Sequence, residues 1–123
     1  MPESKSYTQL EVWKKSRELV KDVYMLTNAF PKEELYSLTN QIRRAIVSIP
    51  SNIAEGIGRN SYKETIQYLY IAKGSIYEVE TQLYLAYDLH YINLGQLEEM
   101  LLKVEECRKL LYGFIQYYRK KSE

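Results

Sequence analysis

Apolar residues recur at helical spacing along almost the whole chain, and the stretch Gln41 to Arg59 carries the densest pattern. At 100° per residue, Leu38, Ile42, Ala45, Ile49 and Ile53 share one side of a helix. Gln41, Arg44, Ser48, Asn52, Glu55 and Arg59 fall together in an adjoining arc. The remaining surface carries Val47, Pro50, Ala54 and Ile57, with Arg43 the main charge among them. A helix that is apolar on two sides is usually covered on two sides. Its own bundle supplies one cover, and a second subunit is the expected other.

The same periodicity predicts three more helices. The first runs from about Gln9 to Asn28 behind a capping box, Thr8-x-x-Glu11, with Tyr7 and Val12 placed for a hydrophobic staple. Its apolar positions Leu10, Trp13, Val20 and Tyr24, with Val12, Leu19, Val23 and Leu26 beside them, form one broad stripe. Phe30-Pro31 ends it, because a residue before proline disfavours α geometry, and Lys32 to Leu35 suit one short turn. Ser37 is the expected N-cap of the second helix, Leu38 to Ile57, kinked but not broken near Pro50, with Gly56 and Gly58 as its stop. Ser61-x-x-Glu64 opens the third helix, Tyr62 to His90. Its seam is Leu69, Ala72, Ile76, Val79, Leu83 and Ala86, and Tyr70, Tyr77, Tyr84 and Tyr91 repeat every seven residues beside it. Asn93-x-x-Gln96 opens the fourth, Leu94 to Tyr118. Its seam is Leu97, Leu101, Val104, Leu111, Ile115 and Tyr118, interrupted by Arg108. The expected architecture is all-α: an antiparallel up-down-up-down four-helix bundle in one domain, residues 1–123, with flexible ends at 1–7 and 119–123. Two helical hairpins exchanged between chains are the rival arrangement.

Composition narrows the function more than it identifies it. Seventeen basic residues against sixteen acidic ones give a net charge of +1, so no global field attracts nucleic acid or a membrane. No apolar run approaches a membrane span, and a cytoplasmic protein is the simplest reading. A di-iron bundle needs Glu-x-x-His pairs, but His90 is the one histidine and Tyr87 stands three residues before it. His90 reads as a polar residue near a helix end. Cys107, the one cysteine, reads as a small filler in or beside a helix seam. Gly56-Ile57-Gly58 lacks the Lys-Ser/Thr of a phosphate loop. Neither enzymatic chemistry, nor a cofactor, nor a metal is expected.

Three features remain as candidate sites. Arg44, Ser48, Asn52, Glu55 and Arg59 adjoin the core stripe, where charge is costly unless paired; their expected partners are Ser75, Glu78 and Gln82 of the third helix. Val47, Pro50, Ala54 and Ile57, with the tyrosine row Tyr70, Tyr77 and Tyr84, form a candidate oligomer interface. Charge is also uneven. Arg43 to Lys73 holds five basic and two acidic residues, Glu78 to Glu106 one basic and seven acidic, and Arg108 to Lys121 five basic and none acidic. Arg43, Arg44, Arg59, Lys63, Lys73, Arg108, Lys109, Arg119, Lys120 and Lys121 are therefore the candidate nucleic-acid contacts.

Several words of the chain, in order, resemble a known family: Leu10-Glu11-Val12-Trp13-Lys14-Lys15, Phe30-Pro31-Lys32-Glu33-Glu34, Gln41-Ile42-Arg43-Arg44-Ala45, Ser48-Ile49-Pro50-Ser51-Asn52-Ile53-Ala54-Glu55-Gly56 and Ala72-Lys73-Gly74-Ser75. The family is the bacterial four-helix bundle encoded in intervening sequences of 23S rRNA genes. A typical member has Arg where Lys73 stands. The resemblance implies an up-down-up-down bundle assembling as a homopentamer, and supplies no biochemical activity. The family is in turn similar to the accessory protein of diversity-generating retroelements, a basic pentameric barrel that binds a reverse transcriptase and nucleic acid. The resulting expectation is a non-enzymatic, ring-forming scaffold for a protein partner. Direct RNA or DNA binding is the alternative.

Overall fold

The computed structural model describes residues 6–123 as four helices and no strand: α1 (Glu11–Thr27), α2 (Leu38–Ile57), α3 (Tyr62–Asp88) and α4 (Leu94–Ser122). Neighbours form a closed cycle, α1 on α2, α2 on α3, α3 on α4 and α4 on α1, while the backbones of the diagonal pairs stay farther apart across the shared core. This is a four-helix bundle around one apolar core. Ile42, Ile46, Ile49 and Ile53 of α2 are sealed inside it, as is the whole expected α3 seam, Leu69, Ala72, Ile76, Val79, Leu83 and Ala86. Helix α2 runs uninterrupted through Pro50. Its apolar spacing stays in phase across the proline, so burial on both sides offsets the one lost backbone bond.

The ends differ from expectation in instructive ways. The lead residues 1–5 lie outside the described residues, while Tyr7–Gln9 form a 3₁₀ turn capped by Ser6, whose Oγ accepts the Thr8 N–H at 3.2 Å. Thr8 thus does not cap α1. Leu10 stands at that N-cap without a side-chain bond, and the expected capping box does not form. Tyr7 packs edge-on against Trp13, with ring centroids 5.3 Å apart. Ser37 stands at the α2 N-cap as expected, but its side chain makes no cap bond: Glu34 Oε1 accepts both the Ser37 hydroxyl at 2.6 Å and the Leu38 N–H at 3.2 Å. Only half of the third helix's box is present, Ser61 Oγ accepting from Glu64 N–H, whereas Asn93 and Gln96 of α4 cap each other reciprocally. Helix α4 continues through Ser122.

Two core stripes match expectation in part: Val12, Leu19 and Val23 of the broad α1 stripe are buried, as are Leu97, Val104, Leu111, Ile115 and Tyr118 of the α4 seam. In α1 the buried row is Val12, Ser16, Leu19, Val23 and Thr27. The Ser16 and Thr27 hydroxyls satisfy themselves on their own helix, at Trp13 O (2.9 Å) and Val23 O (2.8 Å), so polar residues sit in the core without cross-helix partners. Trp13 and Val20 are left half-buried, and Tyr24 is exposed. In α4 the seam passes through Met100 and Cys107, leaving Leu101 half-buried and Arg108 beside the seam.

Helix α3 stops in a reverse turn: Tyr91 N–H reaches Ala86 O at 2.9 Å and His90 N–H reaches Tyr87 O at 3.0 Å. His90 takes the left-handed position between them, with φ 66°. The glycines of α2 divide their expected job. Gly58 caps the helix in right-handed geometry, but Gly56 is a close-approach residue. A Cβ there would lie 2.9 Å from Tyr68 Cβ and 3.1 Å from the Thr65 carbonyl oxygen. Thr65 Oγ1 donates to Gly56 O at 2.7 Å across the same contact.

Two expectations follow for stability in urea. Gly56→Ala should destabilise the fold by up to about 2 kcal/mol, overpacking of about 1–3 kcal/mol being set against a helix-propensity gain near 1 kcal/mol. Gly74→Ala, whose Cβ would meet open space, should stabilise it by about 0.5–1 kcal/mol. Glu34 supplies a pH dependence. Hydrogen bonds from Ser37, Tyr91 and Leu38 hold its carboxyl below the ordinary value of 4.5. A lowered folded-state pKa adds stability that is present above 4.5 and lost as pH falls through the depressed value. Glu34→Gln should therefore lower the melting temperature at pH 7 and flatten its decline on acidification, as followed by circular dichroism.

Candidate functional site

The polar arc of α2 separates into two groups. Ser48, Asn52 and Ser75 form a half-buried chain between α2 and α3: Asn52 Nδ2 donates to Ser48 O and Oγ, both at 2.8 Å, and Ser75 Oγ donates to Ser48 Oγ at 2.9 Å. Glu55 and Arg59 lie one turn on, at the surface, 2.9 Å apart. Arg59 also donates to Tyr68 Oη at 2.5 Å and lies over that ring. Arg44 and Glu78 are exposed and join neither group among the described residues. Gln82 is buried at the α3 seam with its Oε1 unpartnered. The expected continuous network is thus a short hydroxyl–amide chain plus a surface ion pair. Ser and Asn are short enough to bond within the α2–α3 gap, while the longer Arg44 and Glu55 side chains reach water.

Most of the candidate phosphate-contacting arginines are engaged within the chain. Arg43 donates to Thr27 Oγ1 at 2.8 Å and Asn28 Oδ1 at 3.2 Å and covers the Tyr24 ring, closing the end of α1. Arg108 is paired with Glu80 at 3.1 Å and with Glu105, and its guanidinium lies over Tyr77. Arg119 donates to Tyr70 Oη at 3.2 Å. Lys73 and Lys121 lie over Tyr70 and Tyr117. Lys63, Lys109 and Lys120 are exposed on α3 and α4.

The second apolar face of α2 is largely covered by its own chain. Pro50, Ala54 and Ile57 are half-buried, and Val47 keeps 39% of its surface. Trp13 and Val20 of α1, which the sequence places in the core stripe, stand beside them. Two depressions of about 470 and 500 Å³ share Val47 and run along the α1–α2 seam. Tyr7, Trp13, Val20, Pro50 and Ala54 line the first, and Tyr24, Leu35, Asn40 and Ser48 the second. Their charged lining residues are Arg17, Lys21, Arg43 and Arg44, with no carboxylate. The tyrosine row lies on the other side of the bundle. Tyr70, Tyr77 and Tyr84 are each nearly half-exposed, and Arg108 and Arg119 of α4 reach the first two.

Cys107 is sealed in the core, and burial pushes its thiol up to about 12. No group of His, Cys, Asp and Glu among the described residues is placed to hold a metal ion, and no helix there is long and apolar enough to cross a membrane. Cys107 should therefore resist maleimide in the native protein at pH 7 and react within minutes in denaturant, which mass spectrometry reads directly.

A family model described as 23S rRNA-intervening sequence protein matches residues 8–113. Among solved structures, a protein from Bacteroides thetaiotaomicron VPI-5482 is similar to this chain. It is described as a protein with unknown function from the S23 ribosomal protein family. The two are 28% identical with a TM-score of 0.77, over 85% of this chain and 97% of that one. No curated protein matches.

Proposed function

Since the chain belongs to the 23S rRNA-intervening sequence protein family, we propose that it acts as a non-enzymatic, self-assembling interaction module in the cytoplasm. The subunit is an antiparallel up-down-up-down bundle, and copies of it close into a homopentameric ring that presents a scaffold to a protein partner. Cross-helix pairs support the topology. Ser48 meets Ser75 and Gly56 meets Thr65. Lys15 meets Glu106 while Asp22 meets Lys103, and Glu80 meets Arg108 while Tyr70 meets Arg119. Each neighbouring pair runs in opposite directions.

One observation carries the assembly. The molecule has two unlike adhesive surfaces, the apolar and basic α1–α2 seam and the tyrosine-rich α3–α4 face, on opposite sides of the cycle of helices. Two different patches that bind each other make a heterologous contact, which closes into a ring when its rotation allows. The number five follows the family resemblance. A single cysteine sealed in the core and a lone histidine used as a helix terminator support the non-enzymatic reading. Direct RNA or DNA binding ranks behind the scaffold, because Arg43, Arg59, Arg108 and Arg119 are already engaged by their own chain.

Light scattering on the eluting peak of a sizing column should give five times the 14.6 kDa chain mass at micromolar concentration. A monomer there would sink the ring. Fluorescence anisotropy with a structured RNA and a DNA duplex should show binding that vanishes between low and physiological salt. Retention at physiological salt would favour the nucleic-acid reading instead.

A further inference from the structure

Of the two depressions along the α1–α2 seam, the one at the head of α2 gathers positive charge that nothing answers. It measures about 500 Å³ and shares only Val47 with its neighbour. Arg43 and Arg44 both line it, and no carboxylate does. Arg43 is held in place by Thr27, Asn28, the Tyr24 carbonyl and the Tyr24 ring, all of them neutral. Its Nη1 has no partner among the described residues, and neither has the exposed Arg44 guanidinium. Elsewhere Arg59, Lys103 and Arg108 are each paired with a carboxylate. Glu34 is near in sequence, but its oxygens are spent on Ser37, Leu38 and Tyr91. Thr39 is an independent sign. It keeps only 4% of its surface yet lines this depression, and its hydroxyl makes no hydrogen bond among the described residues. The other buried Ser and Thr hydroxyls, on Ser16, Thr27, Thr65 and Ser75, all bond to an oxygen of the chain. A buried hydroxyl left unmatched is costly, and a ligand oxygen would relieve it.

Independently of self-assembly, the geometry points to a binding site for a small phosphomonoester carried on a compact apolar or aromatic body. The phosphate meets Arg43, Arg44 and the Thr39 hydroxyl. Tyr24, Leu35 and Val47 supply the floor on which the body rests, and the exposed Asn40 offers it an amide donor and acceptor. Guanidinium forks match phosphate oxygens in pairs. A phosphomonoester has three such oxygens and close to two negative charges at pH 7, enough for two arginines and a hydroxyl. A carboxylate has two oxygens and one charge. The volume is that of a site for a small organic ligand and exceeds what a bare phosphate fills. A nucleic-acid strand would need a track of cations, whereas these two arginines share one depression and Arg59, Arg108 and Arg119 are engaged elsewhere.

The test titrates phenyl phosphate into the full chain by calorimetry at physiological salt, with inorganic phosphate, phenol and benzoate as comparison ligands. One phenyl phosphate should bind per chain, at least about ten-fold more tightly than any of the three. Arg44→Gln should weaken binding at least about ten-fold, and Thr39→Val about three- to ten-fold. Neither substitution removes a bond that the described residues make, so both variants should keep the native circular dichroism spectrum and melting temperature. Lys63→Gln, an exposed cation beside the other end of α2, should leave binding unchanged. In a ¹⁵N–¹H correlation spectrum the Thr39 and Asn40 amides should move with added probe while those of Tyr77 and Tyr84 stay. No saturation at millimolar probe overturns the site, as does equal affinity for any comparison ligand, inorganic phosphate included. Full affinity in Arg44→Gln or Thr39→Val overturns it too, as does an equal loss in Lys63→Gln or a set of shifts centred elsewhere on the chain.

Discussion

Thr65 donating its buried hydroxyl to the Gly56 carbonyl sets how closely α2 and α3 lie, and much of the molecule follows from that distance. The bond is possible because residue 56 has no Cβ; any side chain would meet Tyr68 and the Thr65 backbone. With the helices this close, only short polar side chains fit between them, hence the Ser48–Asn52–Ser75 chain one to two turns away. The same approach leaves the larger arc residues no room inside. Arg44 is turned out to solvent, and Arg59 folds over Tyr68 at the surface. Close packing of α2 on α3 thus determines which charges of α2 are available to anything outside.

Legibility from sequence tracked how strictly each element is bound to a single geometry. The α3 seam was readable residue by residue because its three-and-four spacing has no polar interruption, and all six positions are fully buried. The Asn93–Gln96 box was equally plain, being local and reciprocal. In α1 the broad apolar stripe includes the buried Val12, Leu19 and Val23 but not Ser16 and Thr27, which are buried while bonding to their own helix, as no apolar pattern reveals. The narrower buried row matters for the candidate site. Trp13, Val20 and Tyr24, assigned to the core from spacing, instead line the seam beside α2. The Glu34 carboxylate bonding the Leu38 N–H where the Ser37 hydroxyl does not is hidden from the sequence for another reason, since it needs a turn whose shape also depends on Tyr91, 57 residues away.

Uneven charge along the chain becomes a pattern of two unlike surfaces once folded. The basic stretch around α2 contributes to a seam free of carboxylates, and the acidic stretch supplies the outward edge of α4. Arg43 and Arg108 hold helices in place through hydrogen bonds, ion pairs and aromatic contacts. Net charge therefore says little about this protein, while the distribution of its unengaged charges says more.

The central claim is that copies of this chain meet through unlike faces, and zero-length carbodiimide cross-linking of an equal mixture of ¹⁴N- and ¹⁵N-labelled protein tests it most directly. Assembly through unlike faces predicts mixed-isotope peptides joining the α1–α2 seam to the α3–α4 face, together with subunit ladders. Mixed-isotope links confined to one face with itself, or none under conditions where the protein is assembled, would contradict it.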